Sequence, residues 1–222
     1  TDGLSGKNRN TDITFEGCTF SGVGRPVYDE FGGIKSLTLK DCLFTNDASD
    51  GMSWVGTLQG KVDSILIDGC RFVGRKEGLL KMSGGCDSFT FTNNVLEDCG
   101  EHPSRGMFEG TPLHVTWENN TFDMDVWIVD ADSQPAGETA AGRYTLSADT
   151  AYTVTLTAKG SATEYGGYCE ISREGAEPLY TCQLIPPDGK MTFVFTPDTT
   201  ADYTFTAVWG ICPSDNPIED GK

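Results

Sequence analysis

Five segments of the chain share one template: apolar, any residue, apolar, two turn residues, Cys or Asn, any residue, apolar. They read "ITFEGCTF" (13–20), "LTLKDCLF" (37–44), "ILIDGCRF" (65–72), "FTFTNNVL" (89–96) and "VTWENNTF" (115–122). The Cys/Asn column comprises Cys18, Cys42, Cys70, Asn94 and Asn120, at intervals of 24, 28, 24 and 26 residues. A near-constant period of this size marks stacked repeats, in which one unit cannot bury its apolar face until a neighbour covers it. Few other constraints on this chain are as tight.

Two architectures suit such a period. A leucine-rich repeat reads LxxLxLxxN/CxL, and "IKSLTLKDCLF" (34–44) satisfies it position by position. Its return segments, however, commonly carry helical spacing. Here the returns are "RPVYDEFGG", "GMSWVGTLQGK", "GLLKMSGG" and "SRGMFEGTP", which are short, glycine-bounded and strand-like. The pattern therefore predicts an all-β chain whose first part is a right-handed parallel β-helix of about five coils. Coils stack at the inter-strand distance of about 4.8 Å, so equivalent residues lie above one another. Ile13, Leu37, Ile65, Phe89 and Val115 form one inward stack, and Phe15, Leu39, Ile67, Phe91 and Trp117 a second. Phe20, Phe44, Phe72, Leu96 and Phe122 form a third, just past the turn. Asn in the column can build an amide ladder that satisfies turn backbone groups. Cys in the same place is small and apolar and suits a buried corner.

These coils resemble the pectin-lyase-like right-handed β-helix superfamily, whose coils often end on I-x-I-x-x-N-x-F, over residues 12–132. That superfamily holds polysaccharide lyases, glycoside hydrolases, surface adhesins and phage tailspikes. The resemblance implies glycan-related biology outside the cell, at a cell surface or on a virion, more than any one reaction.

After "VWIVDADS" the period stops. Residues 134–142, "QPAGETAAG", read as a linker between a β-helix over 1–133 and a second domain over 143–212, with a tail at 213–222. The second domain alternates cleanly: "AYTVTLTA" puts Tyr152, Val154, Leu156 and Ala158 on one face and threonines on the other, and "DYTFTAVW" puts Tyr203, Phe205, Ala207 and Trp209 inward. One wet face per strand predicts antiparallel sheets in a small sandwich. The order of "YTVTLTAKG" and "MTFVFTPD" resembles jelly-roll carbohydrate-binding modules over residues 143–212, a shorter span than a full module.

With 33 acidic and 16 basic side chains the net charge is −17, so no cationic excess exists to neutralise nucleic-acid phosphates or an anionic membrane surface. No run of eighteen apolar residues occurs that would insert in a membrane. The chain begins without a secretory signal or an initiating Met, which reads as a processed product or a piece of something longer. Eight cysteines lack any CxxC, and only His102 and His114 are available beside them, so no zinc site is predicted. Cys169 and Cys182 fall on neighbouring strands, where a disulfide or a pair of buried thiols fits; Cys86 and Cys99 flank the fourth coil and admit the same two states. Cys212 has no obvious partner.

Glycan cleavage needs a carboxylate pair, or a base supported by calcium or arginine. Asp130 and Asp132, at i and i+2 of "IVDADS", are the sharpest pair; read as a strand, they share one side, and a solvated edge is the bland alternative. Lys81 and Arg105 on return strands would complete a lyase-like site or make surface ion pairs. Asp29 and Glu30 are adjacent and face apart. No nucleophile, metalloprotease or nucleotide motif occurs; no cofactor is implied, and calcium has no motif to hold it. For sugar stacking the candidates are Tyr165 and Tyr168 in "SATEYGGYCE" and Trp54 on the longest coil, each with a packing role as the alternative. The expectation is a non-catalytic glycan-recognition or adhesion fragment of a larger secreted, surface or phage-tail protein, its partner a polysaccharide or cell-surface glycan. The alternatives are the C-terminal part of a polysaccharide lyase or glycoside hydrolase, and a structural spike or adhesin assembled as a homotrimer.

Overall fold

The computed structural model describes residues 11–45, 54–75, 78–99, 108–140, 142–158, 167–181 and 190–209. The chain divides into two compact units, Thr1–Thr121 and Phe122–Lys222. Among the described residues both are built from strands alone.

The first unit winds through three strands per turn. The first turn has β1 (Thr11–Glu16), β2 (Thr19–Ser21) and β3 (Val27–Asp29); the second has β4 (Ile34–Lys40), β5 (Leu43–Thr45) and β6 (Gly56–Leu58). The third has β7 (Val62–Asp68), β8 (Arg71–Val73) and β9 (Leu80–Met82), and the fourth β10 (Cys86–Thr92), β11 (Val95–Glu97) and β12 (Phe108–Glu109). β13 (Pro112–Glu118) and β14 (Asn120–Phe122) supply two sides of a fifth. The solenoid therefore has about four complete turns, against the five coils expected from the period, and three parallel sheets run up its sides.

The predicted stacks hold in register. Leu37 pairs with Ile65 and Ile65 with Phe89; Leu39, Ile67 and Phe91 follow two residues later. Phe20, Phe44 and Phe72 lie ring on ring, with centroids 4.9 and 5.1 Å apart and planes within 8° of parallel. Each buried Phe contributes roughly 1.5–3 kcal/mol of apolar burial. Val115 keeps its register above Phe89, but in the last, incomplete turn it is 39% exposed and Leu113 is 71% exposed, because no further coil among the described residues covers them.

What lets the chain turn so sharply is the residue before the column. Gly17, Asp41, Gly69, Asn93 and Asn119 all have φ between +50° and +63°. Gly, Asn and Asp enter that left-handed region at least cost, which explains the choice of residue in each repeat. The column itself then ties coil to coil. Asn94 Oδ1 accepts the Cys70 N–H at 2.9 Å, and Asn94 Nδ2 donates to the Ile67 carbonyl at 3.1 Å. Asn120 repeats the arrangement, accepting from the Asn94 N–H at 3.1 Å and donating to Phe91 O at 2.8 Å. Cys42 Sγ donates to Phe15 O at 3.4 Å, the equivalent carbonyl one coil earlier. At Cys42 a thiol thus performs the donating half of the asparagine's task and lacks the accepting half, whereas Cys70 Sγ donates to Asp68 O of its own coil at 3.6 Å.

The corner between the third and first sheets uses close contact instead. A Cβ on Gly60 would lie 2.2 Å from Gly32 Cα, and one on Gly84 2.2 Å from the Gly60 carbonyl carbon, so backbone packs on backbone. Asp29, buried beside this corner, accepts three backbone N–H groups, those of Gly32, Gly33 and Ile34, at 2.8–3.1 Å.

The second unit is an antiparallel sandwich. β15 (Met124–Val129), β18 (Tyr152–Ala158) and β21 (Lys190–Phe195) form one sheet. β16 (Glu138–Ala140), β17 (Arg143–Leu146), β19 (Gly167–Arg173), β20 (Leu179–Thr181) and β22 (Ala201–Trp209) pair in the other. Ile128, Val154, Leu156 and Phe193 from the first sheet share one core with Leu146, Ile171, Tyr203 and Phe205 from the second. The alternation in "AYTVTLTA" and "DYTFTAVW" is realised, with Tyr152, Val154, Leu156, Tyr203, Phe205 and Ala207 buried. The domain boundary expected at 133 falls inside this unit. β15 precedes it yet pairs with β18, and residues 134–142, read as a linker, contain β16 and its pairing with β17. A Pro/Gly/Ala composition marks a break in periodicity, which a tight turn between paired strands produces as readily as a linker. The expected tail, 213–222, lies outside the described residues.

Substitutions at Asn94 and Gly60 test the corners. Asn94→Ala strands the Cys70 N–H and the Ile67 carbonyl and should lower stability by about 3 kcal/mol in denaturant titration. Asn94→Cys, which restores the donor, should cost about half as much. Gly60→Ala should cost about 3 kcal/mol or more, whereas Gly137→Ala, with nothing within 4 Å of the added carbon, should stay within about 0.5 kcal/mol.

Candidate functional site

The outer face of the sheet β15–β18–β21 carries the most exposed aromatic side chain among the described residues. Met124, Val126 and Ile128 point into the sandwich core, so the intervening Asp125, Trp127 and Val129 point out. Trp127 is 59% exposed. Pairing places it in one row with Thr155 of β18 and Thr192 of β21, whose Oγ1 atoms lie 3.2 Å apart. On one side of that row stand Asp125, Thr157 and Lys190, on the other Val129, Thr153 and Val194. A row of this kind offers an indole face and a band of hydroxyls that can each donate and accept.

The aromatic residues singled out in the sequence fall elsewhere. Tyr168 is only 4% exposed; its ring packs edge-on against Tyr180 at 5.7 Å, and burial, followed by the nearby Glu170, raises its hydroxyl pKa. Trp54 is 5% exposed, and its ring lies so close to Gly78 that a Cβ there would come within 2.7 Å. Both take the packing role rather than the stacking one. Tyr165 lies outside the described residues.

Asp130 and Asp132 do not lie on a strand. They belong to the turn that follows β15, where Asp130 Oδ1 accepts the N–H of Asp132 at 3.0 Å and of Gln134 at 2.8 Å. A carboxylate engaged with its own turn backbone holds the hairpin; the i, i+2 rule that put both on one side applies only to extended chain. Lys81 pairs with Glu109 at 3.1 Å, one rung away on β12. It follows the same rule as Lys40 with Glu16 and Lys61 with Asp87, pairs between adjacent coils worth little in stability at such exposure. Arg105 and His102 lie outside the described residues, and His114 is exposed on β13.

Asp68 illustrates the chemistry of the outer corner. The Asn93 amide and then the Thr92 hydroxyl, both at 2.8 Å, hold its carboxyl below the usual range. A general acid in glycan cleavage needs the opposite shift. Arg75, which nothing in the sequence distinguishes, is buried and donates to the Val23 and Gly24 carbonyls at 3.1 and 3.2 Å. Among the described residues no group of three or more His, Cys, Asp or Glu converges to hold a metal ion.

Cys86 and Cys99 carry thiols rather than a disulfide, donating to Ser88 O at 3.0 Å and Glu97 O at 3.2 Å. Cys169 is a buried thiol in the sandwich core; Cys182 and Cys212 lie outside the described residues.

Comparison of the chain with protein-family models, with curated proteins and with solved structures finds no match. What the protein does has to be read from its own surface.

Trp127 is legible in the sequence only in part. The alternation of "MDVWIV" marks it as outward-facing, but the loss of the period just after it attaches the stretch to the last coil and hides its partners on β18 and β21.

Burial pushes the thiols of Cys70 and Cys169 up to about 12, which leaves a thiolate fraction on the order of 10⁻⁴ at pH 8. Mass-spectrometric mapping after brief iodoacetamide treatment at that pH should find Cys18, the partly exposed member of the column, labelled ahead of both. Labelling of Cys70 or Cys169 should require denaturation or strongly alkaline pH.

Proposed function

We propose that the protein is a glycan-recognition fragment of a larger secreted, surface or phage-tail protein, non-catalytic as it stands. In this reading the solenoid belongs with the pectin-lyase-like β-helices and acts as a stalk, and the sandwich belongs with jelly-roll carbohydrate-binding modules and makes the contact. The observation that supports it best is Trp127, 59% exposed on the edge strand of its sheet and in line with two threonine hydroxyls. Leaving a Trp face in water forgoes burial it would gain in a core, and a sugar ring, apolar on its C–H face and polar at its rim, complements a wet indole beside hydroxyls. The regular outer surface of the solenoid suits a spacer: several of its exposed charges pair between adjacent coils, such as Arg71 with Glu97 at 2.7 Å and Lys61 with Asp87 at 2.7 Å.

Trp127→Ala should abolish retention on a glycan array, or weaken it at least tenfold, while leaving the circular dichroism spectrum and melting temperature unchanged. Retention that survives this substitution at full strength would remove the sandwich face from the proposal.

A further inference from the structure

We infer that this face selects uncharged glycans and rejects uronates and sulfated chains. The inference rests on the glycan-recognition reading above and names its ligand class. The acidity of the protein is not spread evenly. The second unit, Phe122–Lys222, holds sixteen acidic and five basic side chains, a net −11 of the chain's −17. The unit that bears Trp127 is thus the more acidic of the two, and its field reaches about 8 Å into physiological saline.

The row that would touch a sugar contains no charge at all: Trp127, Thr155 and Thr192. In the neighbouring row Asp125 and Lys190 flank Thr157, one of each sign, so the face itself has no cationic excess. A polyuronate laid across it would bring repeated carboxylates against a surface that offers one ammonium and a background of negative charge. Like charges brought together in this way repel and disfavour the contact. A neutral glycan meets no such barrier. One ring stacks on the indole, and its hydroxyls exchange hydrogen bonds with Thr155 and Thr192, whose Oγ1 atoms at 3.2 Å from each other keep further lone pairs available. Binding of this kind is insensitive to salt, because no ion pair is made.

Native affinity electrophoresis of the full chain tests this, using gels that contain mixed-linkage β-glucan, arabinoxylan or galactomannan as neutral probes and polygalacturonate or heparin as anionic ones. At least one neutral polysaccharide should retard the protein, and neither anionic one should. The retardation should change less than twofold between low and high salt. Trp127→Ala should eliminate it, and Thr155→Val with Thr192→Val, which keeps shape and strand propensity, should weaken it several-fold. Trp127-dependent retardation by polygalacturonate or heparin would overturn the inference and leave glycan recognition standing. Absence of retardation in every gel, or retardation equal in Trp127→Ala, would overturn the recognition reading and the inference with it.

Discussion

Coil stacking at one strand spacing, about 4.8 Å, is the constraint on which the first unit depends, because it forces every corner to repeat its chemistry directly above itself. Backbone groups at a corner cannot all join the flanking sheets. At the first corner the chain meets this with a left-handed residue followed by Cys or Asn, and Cys42, Asn94 and Asn120 each reach back to a carbonyl of the coil before. At the third corner it removes side chains altogether, and Gly32, Gly60 and Gly84 let backbones touch. Only with the corners settled do the apolar stacks come into register and bury Phe44, Phe72, Phe89 and Phe91.

A surface produced by such stacking is regular and self-satisfied. Ser36 donates to Asp12 one coil away, Thr92 and Asn93 converge on Asp68, and basic residues pair with acids on the adjacent rung. That regularity suits a spacer more than a site. The sandwich differs, since β15, β18 and β21 alternate between a face buried in the core and a face left in water, and that wet face carries Trp127, slightly more exposed than Phe31 of the solenoid.

Much of the solenoid is legible in the chain because its signal is one-dimensional. A column that recurs every 24 to 28 residues names its own neighbours, so the stacking of Leu37, Ile65 and Phe89 follows from the period alone. The amide ladder of Asn94 and Asn120 follows from the same period. The candidate site is far less legible. Tyr168 and Trp54 sit among glycines, which suggests an exposed loop, and both are buried because packing partners distant in sequence, Tyr180 and Gly78, close over them. Asp130 has the spacing of one member of a strand pair, yet its carboxylate caps a turn, since the strand ends one residue earlier at Val129.

Period and alternation, both local properties, are enough to specify an all-β chain, a stack of parallel coils with Cys and Asn at one corner, and a second part with one apolar and one polar face per strand. Which strands of that second part lie side by side is left to tertiary structure, because antiparallel pairing between β15 and β18 joins residues on either side of a segment with no periodic signal. That pairing is what sets Trp127 beside Thr155 and Thr192, so the proposed sugar-binding face exists only in the folded sheet.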